Sequence, residues 1–254
     1  MKKLVIGNWK CNPDSFAEAV RNFRLLSKGI KGSSLKKAEV AICPPFAFLA
    51  GIFPKKEGRI KAGAQNCFWQ ERGAFTGEVS ALMLKSLRCK YVILGHSERR
   101  AFFSETDGMV NKKVKTALAA GLIPVICVGE TMNQRKEGIT KQVLEEKIKE
   151  VTKGVKRKEA EKVVLAYEPV WAVGTGNACP VQEAQSMCLL LRRIFEKIYG
   201  KKASAKVDIL YGGSVGAENA QGYVKEAGFS GLLVGGASLK PAEFIKIVDA
   251  VSRV

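Results

Sequence analysis

Three side chains of this sequence, Glu168, His96 and Lys10, stand at the ends of apolar runs and could together move protons. Glu168 precedes Pro169, which disfavours the helical backbone at Glu168 and places it at a junction between a strand and a loop. A carboxylate in that position can act as a general base. The alternative is a surface carboxylate that pairs with one of the many lysines.

His96 is the single histidine of the chain and directly precedes Ser97 and Glu98, where a helix could begin with Ser97 as its cap. Backbone amides at a helix start favour the neutral imidazole. A neutral imidazole can donate a hydrogen bond to a carbonyl oxygen and carry a proton between two oxygens. A hydrogen-bonded structural histidine is the alternative.

Lys10 follows Asn8 and Trp9 at the end of the first apolar run. An ammonium group is costly to bury without a partner, so Lys10 is expected to bind an anion or to remain solvated. The seven cysteines include no Cys-x-x-Cys pair, which together with the single histidine excludes the usual zinc spacings, and we expect no metal. The odd cysteine count argues against a disulfide framework and predicts reduced thiols in a cytoplasmic protein.

Short β-branched apolar runs alternate with amphipathic segments along the whole chain, as buried parallel strands and their covering helices do. The predicted strands are Leu4–Trp9, Glu39–Cys43, Ile60–Gln65, Tyr91–Leu94, Ile123–Val128, Val163–Tyr167, Val207–Tyr211 and Leu232–Val234. The predicted helices are Ser15–Ser27, Val79–Leu87, Val110–Ala120, Lys141–Val151, Val181–Tyr199 and Ala242–Val251.

This alternation predicts right-handed βαβ units and hence a parallel sheet of the α/β class. Eight units without an edge-strand signal favour a closed barrel with an outer ring of helices, and no linker or composition break divides residues 1–254, so we expect one domain. The candidate chemical residues all follow strands. They should therefore meet at the carboxyl face of the barrel, where the loops after the strands converge.

Glycines in these loops could hold a phosphate, because a backbone amide without a nearby Cβ can approach an anion closely. The candidates are Gly174, Ser214, Gly235 and Gly236. Glycine pairs are also common in simple turns. Gly174-Thr175-Gly176 begins a dinucleotide-binding pattern, but Cys179 occupies the place of the last glycine, so that pattern fails.

The segment after Glu168 has stiff or small residues at both ends, which suits a rigid lid that moves on two hinges, although a static loop is the alternative. The predicted lid consists of Pro169, Val170, Trp171, Ala172, Val173, Gly174 and Thr175.

The chain of 254 residues carries 42 Lys and Arg against 24 Asp and Glu, a net charge of +18. Its composition is that of a globular protein, and no apolar run approaches the roughly 18 residues of a membrane span. The charge raises nucleic-acid binding as a rival function. Because the basic clusters fall in helix-to-strand connections, we expect them on the face opposite the candidate site and expect no specific nucleic-acid partner.

Four motifs, in their order along the chain, resemble the triosephosphate isomerase family. They are Gly7-Asn8-Trp9-Lys10, the run Gly95 to Arg100, the run Ala166 to Gly176, and Tyr211-Gly212-Gly213-Ser214-Val215. The resemblance implies a single (β/α)8 TIM barrel that interconverts two triose phosphates without cofactor or metal. It makes Glu168 the base, His96 the electrophile, and Lys10 and Asn8 substrate-binding groups.

The same resemblance implies supporting roles for further residues. Glu98 would pair with Lys10, or else be a simple helix-start acid, and Ser97 would support the site. Cys127 would lie near the catalytic glutamate. Tyr211 and Ser214, in the loop beside the lid, would latch the closed lid.

The segment from Gln65 to Glu78, which contains Phe75-Thr76-Gly77-Glu78, resembles the loop with which family members grip a partner subunit, so a homodimer is expected. Another phosphosugar enzyme on the same barrel, such as an aldolase that forms a Schiff base on Lys10, stays open as a rival.

Overall fold

The chain folds into a closed barrel of parallel strands. The computed structural model describes residues 2–53, 58–172 and 178–254. Each strand pairs with the next along the chain, and the last pairs with the first, so the sheet closes without an edge. The strands are β1 (Lys3–Asn8), β2 (Ala38–Cys43), β3 (Lys61–Ala64), β4 (Tyr91–Leu94), β5 (Ile123–Val128), β6 (Val164–Tyr167), β7 (Asp208–Tyr211) and β8 (Gly231–Val234).

Helices connect successive strands and cover the outside of the barrel. They are α1 (Phe16–Gly29), α2 (Gly32–Lys37), α3 (Phe46–Ile52), α4 (Ala81–Ser86), α5 (Ser97–Phe102), α6 (Asp107–Ala119), α7 (Met132–Lys136), α8 (Thr140–Val151), α9 (Arg157–Ala160), α10 (Val181–Tyr199), α11 (Lys201–Lys206), α12 (Ala220–Lys225) and α13 (Pro241–Ser252), with a 3₁₀ helix at Gly236–Leu239. The predicted barrel with an outer ring of helices is confirmed.

Side-chain hydroxyls begin several of these helices where the sequence places Ser or Thr before an amphipathic run. Ser15 accepts a hydrogen bond from the backbone of Glu18, and Thr106 accepts one from Met109. Thr131 forms a capping box with Gln134. Each such cap contributes about 1 kcal/mol to stability, so each of these helices begins at a defined residue.

Successive residues of a strand point to opposite faces of the sheet, so the strand side chains divide between two apolar clusters. Ile6, Ile93 and Leu210 belong to the cluster that fills the barrel, whereas Val5 and Val92 pack outward against the helices. Complete burial of such a side chain contributes about 1.5–3 kcal/mol. These layers fix the strand positions and therefore hold the carboxyl-end residues in register.

Basic residues lie mainly at the other end of the barrel. Lys28 lies in the last turn of α1, before α2, while Lys37 ends α2 and Lys206 ends α11, and these last two helices lead into the amino ends of β2 and β7. Lys156 and Lys201 are exposed in the connections before β6 and β7. The predicted separation of basic clusters from the candidate site holds for these residues. Lys55 and Lys56 lie outside the described ranges.

Candidate active site

The predicted chemical residues meet around one cavity at the carboxyl ends of the strands. Asn8 ends β1, His96 begins α5 after β4, and Glu168 follows β6 directly. The cavity has a volume of about 220 Å³. Its lining includes the predicted Asn8, Lys10, His96, Glu168, Ser214, Gly235 and Gly236, and also Gly212, Gly213, Val215, Leu233 and Ala237, which the sequence reasoning had not assigned to the site.

The carboxylate of Glu168 is buried and lies against His96. Glu168 is 2% exposed, and its Oε1 lies 3.2 Å from His96 Nε2. Its other oxygen, Oε2, accepts a hydrogen bond of 3.0 Å from the backbone N–H of Ser97. Among the described residues Oε1 accepts no hydrogen bond of good geometry. One oxygen is thus anchored, and the other is available to a ligand.

The hydrogen bonds of His96 define which of its nitrogens carries the proton. Nδ1 accepts the backbone N–H of Glu98 at 3.2 Å, so in this arrangement Nδ1 bears no proton and Nε2–H is the donor. His96 is therefore the cap of α5, and the prediction that Ser97 caps this helix was wrong. The helix begins one residue earlier than a cap by the Ser97 hydroxyl would place it, because the His96 imidazole accepts the backbone N–H of Glu98. Ser97 instead donates its backbone N–H to Glu168.

Lys10 has a left-handed backbone, with φ of 55°, which for a residue with a Cβ costs on the order of 1–3 kcal/mol. Local hydrogen bonds stabilise it. The Lys10 N–H donates to Asn8 Oδ1 at 3.1 Å, and Gln65 Nε2 donates to the Lys10 carbonyl at 2.9 Å and to the Cys43 carbonyl at 2.8 Å. The sequence reasoning treated Gln65 as the end of a strand and the start of the loop expected to contact a partner subunit, and did not assign it to Lys10.

The ammonium group of Lys10 pairs with Glu98. Lys10 Nζ lies 2.5 Å from Glu98 Oε1, and both side chains are partly exposed. The structure therefore contains the ion pair that the resemblance implies. Glu98 lies on α5, two residues after His96, so α5 and the residue that caps it supply both the carboxylate that holds the lysine and the imidazole.

Two glycines form the end of the cavity beside Lys10. Gly235 and Gly236 begin the 3₁₀ helix, and a Cβ on Gly235 would lie 3.4 Å from Lys10 Cε. Ser214 lies across the cavity, in the loop after β7. Gly174, the fourth predicted phosphate residue, falls outside the described residues.

Cys127 lies near the end of β5, as predicted, and borders the carboxylate of Glu168. Burial, followed by the charge of Glu168 and a hydrogen bond to it, raises the pKa of the Cys127 thiol well above its usual range. The thiol is therefore neutral and adds no negative charge beside the glutamate.

The first part of the predicted lid is tied to a buried carboxylate. Trp171 Nε1 donates to Glu130 Oε1 at 2.9 Å, and the Tyr167 hydroxyl lies 3.1 Å from the same oxygen. The Arg135 guanidinium lies 4.6 Å from the centre of the Trp171 ring. The sequence reasoning missed Glu130 and Arg135, which no local pattern distinguishes from surface charges. Pro169 precedes this contact, Val170 is exposed and Ala172 is buried, whereas Val173, Gly174 and Thr175 lie outside the described residues.

Tyr211 is the last residue of β7, where the predicted strand Val207–Tyr211 also ends, and not part of the loop to which the latch assignment gave it. Its ring is buried in a stack on Tyr223, with centroids 3.8 Å apart. Its hydroxyl accepts the backbone N–H of Cys179 at 3.2 Å. Ser214 does lie in the loop after β7.

Comparison with known proteins identifies the family to which the chain belongs. The sequence model described as triosephosphate isomerase matches residues 3–251. This chain belongs to the triosephosphate isomerase family. The triosephosphate isomerase of Dictyoglomus turgidum is 45% identical over 253 residues, which cover 97% of this chain and 98% of that protein. That of Dictyoglomus thermophilum is 44% identical over 256 residues, covering 98% and 99% of the two chains. That of Thermoanaerobacter pseudethanolicus is 45% identical over 249 residues, also covering 98% and 99%.

The resemblance to the triosephosphate isomerase family, predicted from four motifs, is therefore confirmed. The match covers nearly the whole chain, from residue 3 to residue 251. Across the ranges that the structure describes, no three His, Cys, Asp or Glu side chains are grouped so that they could hold a metal ion. The helices in those same ranges are all too short or too polar to cross a membrane.

Proposed function

We propose that this chain interconverts dihydroxyacetone phosphate and D-glyceraldehyde 3-phosphate through an enediol or enediolate, the isomerisation step of glycolysis and gluconeogenesis. The observation that carries the proposal is the 3.2 Å approach of His96 Nε2 to Glu168 Oε1 at the wall of a cavity that Lys10 also lines. A base, a hydrogen-bond donor and a cation thus surround one space. We propose that the chain acts as one catalytic domain in the cytoplasm, without cofactor or metal.

Glu168 is the base of this reaction. Its Oε1 takes the proton from the carbon beside the substrate carbonyl, and the electron pair of that C–H bond becomes the C=C bond of the enediolate. Return of the proton to the neighbouring carbon completes the isomerisation, so no atom is gained or lost. The Ser97 amide holds the second oxygen, which limits rotation of the carboxylate.

His96 and Lys10 stabilise the charge that develops on the substrate oxygens. The Nε2–H of His96 donates to the carbonyl oxygen and can pass a proton between the two oxygens, since its other nitrogen is occupied by the Glu98 amide. Lys10 places a positive charge beside the enediolate, and Glu98 holds that ammonium in place. Asn8 fixes the backbone of Lys10 and lines the cavity.

The phosphate group of the substrate binds at the glycine end of the cavity. The amides of Gly235 and Gly236 at the start of the 3₁₀ helix, together with Ser214, suit a phosphate, and Gly174 is proposed to complete this cradle. Binding energy from this non-reacting group can then lower the barrier at the reacting carbons.

Closure of the segment Pro169 to Thr175 over the substrate would exclude water and suppress loss of phosphate from the intermediate. The hydrogen bond from Trp171 to Glu130 supports a defined position for the first part of this lid. Ser214 and Tyr211 remain proposed latch residues, with Tyr211 acting from within the fold through Cys179.

A homodimer is proposed to form through the loop that carries Phe75, Thr76, Gly77 and Glu78. All four residues are exposed, and Phe75 packs on Phe68 with ring centroids 4.7 Å apart. Aromatic residues are enriched at protein–protein interfaces relative to the rest of the surface.

A coupled assay with glyceraldehyde 3-phosphate tests the catalytic assignment. Glu168→Asp withdraws the carboxylate by about one methylene and should lower kcat about 100-fold. The matched control is Glu196→Gln, an exposed carboxylate on α10, which should leave the rate unchanged. Conversion in D₂O should place solvent deuterium on the product carbon. An inactive wild type, or equal rates for wild type and Glu168→Asp, would refute the proposal.

The Schiff-base aldolase alternative fits the site less well. Imine formation needs a free amine, whereas Lys10 is held as an ammonium group by Glu98. Borohydride treatment in the presence of substrate should trap no adduct on Lys10, and mass spectrometry of the tryptic peptides measures this directly.

A further inference from the structure

Arg100 ends the motif that runs from Gly95 to Arg100, and the proposed isomerisation gives it no role. His96 of this motif lines the triose phosphate cavity, whereas Arg100 is not among the described residues that line it. The Arg100 side chain reaches the first residue of the motif instead. Its Nε donates to the Gly95 carbonyl at 2.7 Å, and its Nη1 donates to Oδ1 of Asp107, the first residue of α6, at 2.5 Å. Arg100 therefore connects α6 to the backbone just before His96.

The Gly95 carbonyl lies in the same peptide group as the backbone N–H of His96. Because a peptide group is planar, a hydrogen bond to its oxygen also restricts the direction in which the chain enters His96. The preceding peptide group is held as well, since the Gly95 N–H donates to Glu105 Oε2 at 3.1 Å. Charged side chains form stronger hydrogen bonds than neutral ones. Both peptide groups of Gly95 are thus held by charged side chains.

Gly95 itself would not keep this geometry. Its φ of 71° is the left-handed conformation in which the chain passes from β4 to α5, and glycine rotates more freely than any other residue. A Cβ at Gly95 would lie 2.8 Å from Arg100 Nη2, so the guanidinium packs closely against the glycine backbone. Arg100 and Glu105 therefore restrain a flexible position directly before the proposed electrophile.

The His96 imidazole depends on this restraint, because its own polar contacts are long. Nδ1 accepts the Glu98 N–H at 3.2 Å, and Nε2 lies 3.2 Å from Glu168 Oε1. Rotation of the peptide group between Gly95 and His96 would change both distances. A shift of about 1 Å in a catalytic group can lower a rate about 100-fold.

A purely stabilising role explains the Arg100 side chain less well. Its Nη2 is buried without a hydrogen-bond partner in the part of the chain that the structure describes, which is unfavourable. Its pair with Asp107 is partly exposed, and such pairs contribute little stability. The hydrogen bond to the Gly95 carbonyl is the contact that bears on the candidate site.

We propose that Arg100 is a positioning residue for His96, which acts through the Gly95 carbonyl and keeps the imidazole Nε2–H directed at the substrate oxygens. The kinetic consequence rests on the proposed isomerisation, whereas the position of His96 can be measured without turnover. Loss of the Arg100 contact should lower kcat and leave KM nearly unchanged, because Arg100 does not touch the proposed phosphate site at Gly235 and Gly236.

Nuclear magnetic resonance of the protein labelled with ¹⁵N in histidine tests this position directly. His96 is the only histidine of the chain, so both imidazole nitrogen signals belong to it. In the wild type, an unprotonated Nδ1 and a protonated Nε2 should give two well-separated signals. When Nδ1 loses the Glu98 N–H, the proton is shared between the two nitrogens and the signals move toward each other.

Arg100→Lys is the main variant. It keeps a positive charge beside Asp107, but a single ammonium group cannot replace the planar guanidinium that spans Asp107 and the Gly95 carbonyl. We expect the two imidazole signals to approach each other. In the coupled assay with glyceraldehyde 3-phosphate, kcat should fall at least about tenfold while KM stays within about threefold.

Asp107→Asn is the matched control. It removes the charge of the ion pair but keeps Oδ1 as an acceptor for Arg100 Nη1, so the bond from Nε to the Gly95 carbonyl remains. The imidazole signals and kcat should match the wild type. If circular dichroism shows that Arg100→Lys does not fold, Arg100→Met combined with Asp107→Asn takes its place, because this double variant leaves neither charge unpaired.

Unchanged imidazole signals in the folded Arg100 variant would overturn the proposal. A kcat within about twofold of wild type, or a loss confined to KM, would do the same. Equal changes in Asp107→Asn and Arg100→Lys would show that lost stability, and not the contact with Gly95, is responsible. An inactive wild type would refute the proposed isomerisation alone, and the imidazole signals would still decide the role of Arg100.

Discussion

The backbone N–H of Ser97 donates a 3.0 Å hydrogen bond to Glu168 Oε2 across 71 positions of sequence. Because Ser97 directly follows His96, this bond couples the position of the proposed base to the start of the helix that carries the proposed electrophile. His96 follows β4 and Glu168 follows β6. Only β5 lies between these two strands in the barrel, so the two side chains are close in space although they are far apart in sequence.

Glu98→Gln should lower kcat/KM about 10- to 100-fold, mainly through kcat, because Lys10 loses the charge that orients its ammonium group. Steady-state kinetics with glyceraldehyde 3-phosphate measures the effect. Glu18→Gln, which removes an exposed ion pair with Arg21, serves as the control and should match the wild type. A Glu98→Gln rate within twofold of wild type would show that the ion pair has no role in positioning Lys10.

Trp171→Phe should destabilise the fold by about 1–3 kcal/mol, since it removes a hydrogen bond to the buried carboxylate of Glu130. Urea unfolding at one protomer concentration should show a lower midpoint with an unchanged slope. Trp69→Phe is the control, because no hydrogen bond of the Trp69 side chain to a described residue is present. Equal losses in the two variants would contradict a specific contribution from the Glu130 contact.

Ionisation of Glu105 should make the free energy of unfolding depend on pH in the acid range. Burial acts to raise the pKa of Glu105, but the hydrogen bond and charge of Lys113, together with Arg99, outweigh burial and hold this pKa below its ordinary value. A lowered folded-state pKa contributes stability above the unfolded-state pKa of about 4.3, and this contribution is lost as pH falls through the folded-state pKa.

Glu105→Gln should therefore cost about 3–5 kcal/mol at pH 7, because the buried Lys113 loses its carboxylate partner. The cost should shrink as the pH falls below about 4.3, where the unfolded wild-type chain takes up a proton on Glu105 that the folded chain binds only at lower pH. Urea unfolding of both proteins from pH 7 down to pH 3 measures the difference. A cost that is constant over this range would refute the role of the ionised Glu105.

Neutralisation of the basic patch should leave catalysis nearly unchanged. Lys156 precedes α9 and Arg157 and Lys158 lie in it; α9 packs against α11, which carries Lys201 and Lys202, and the two helices lead into the amino ends of β6 and β7. Substituting these five residues with Gln should keep kcat/KM within about threefold, since a strand of four residues spans about 13 Å between this end of the barrel and the candidate site, which exceeds the Debye length of about 8 Å. Retention on heparin should weaken. A tenfold loss of kcat/KM that disappears at high salt would instead show that the patch steers the substrate.

Light scattering of the wild type at micromolar concentration should give about twice the 27.6 kDa chain mass. Thr76→Arg adds a long charged side chain at the exposed loop tip and should shift the mass toward that of one chain. Ser186→Arg, at an exposed position of α10 outside this loop, is the control for added charge and should remain a dimer. A monomeric wild type would refute the proposed homodimer.

The sequence was sufficient to predict the barrel, and the structure brings the residues that it singled out, Glu168, His96 and Lys10, to one cavity. Apolar runs of four to six residues separated by amphipathic helices leave few arrangements open, and Tyr91–Leu94, Ile123–Val128 and Val181–Tyr199 have the predicted bounds. Glu168, His96 and Lys10 could be found because each directly follows such a run, within a motif whose residues are adjacent in sequence.

Only the tertiary structure shows the contacts between side chains that are far apart in sequence. No local pattern reveals that Gln65 supports the Lys10 backbone or that Glu130 holds Trp171, because each pair spans more than forty positions. The capping of α5 by the His96 side chain, rather than by Ser97, depends on where β4 ends and which acceptor reaches the helix amides.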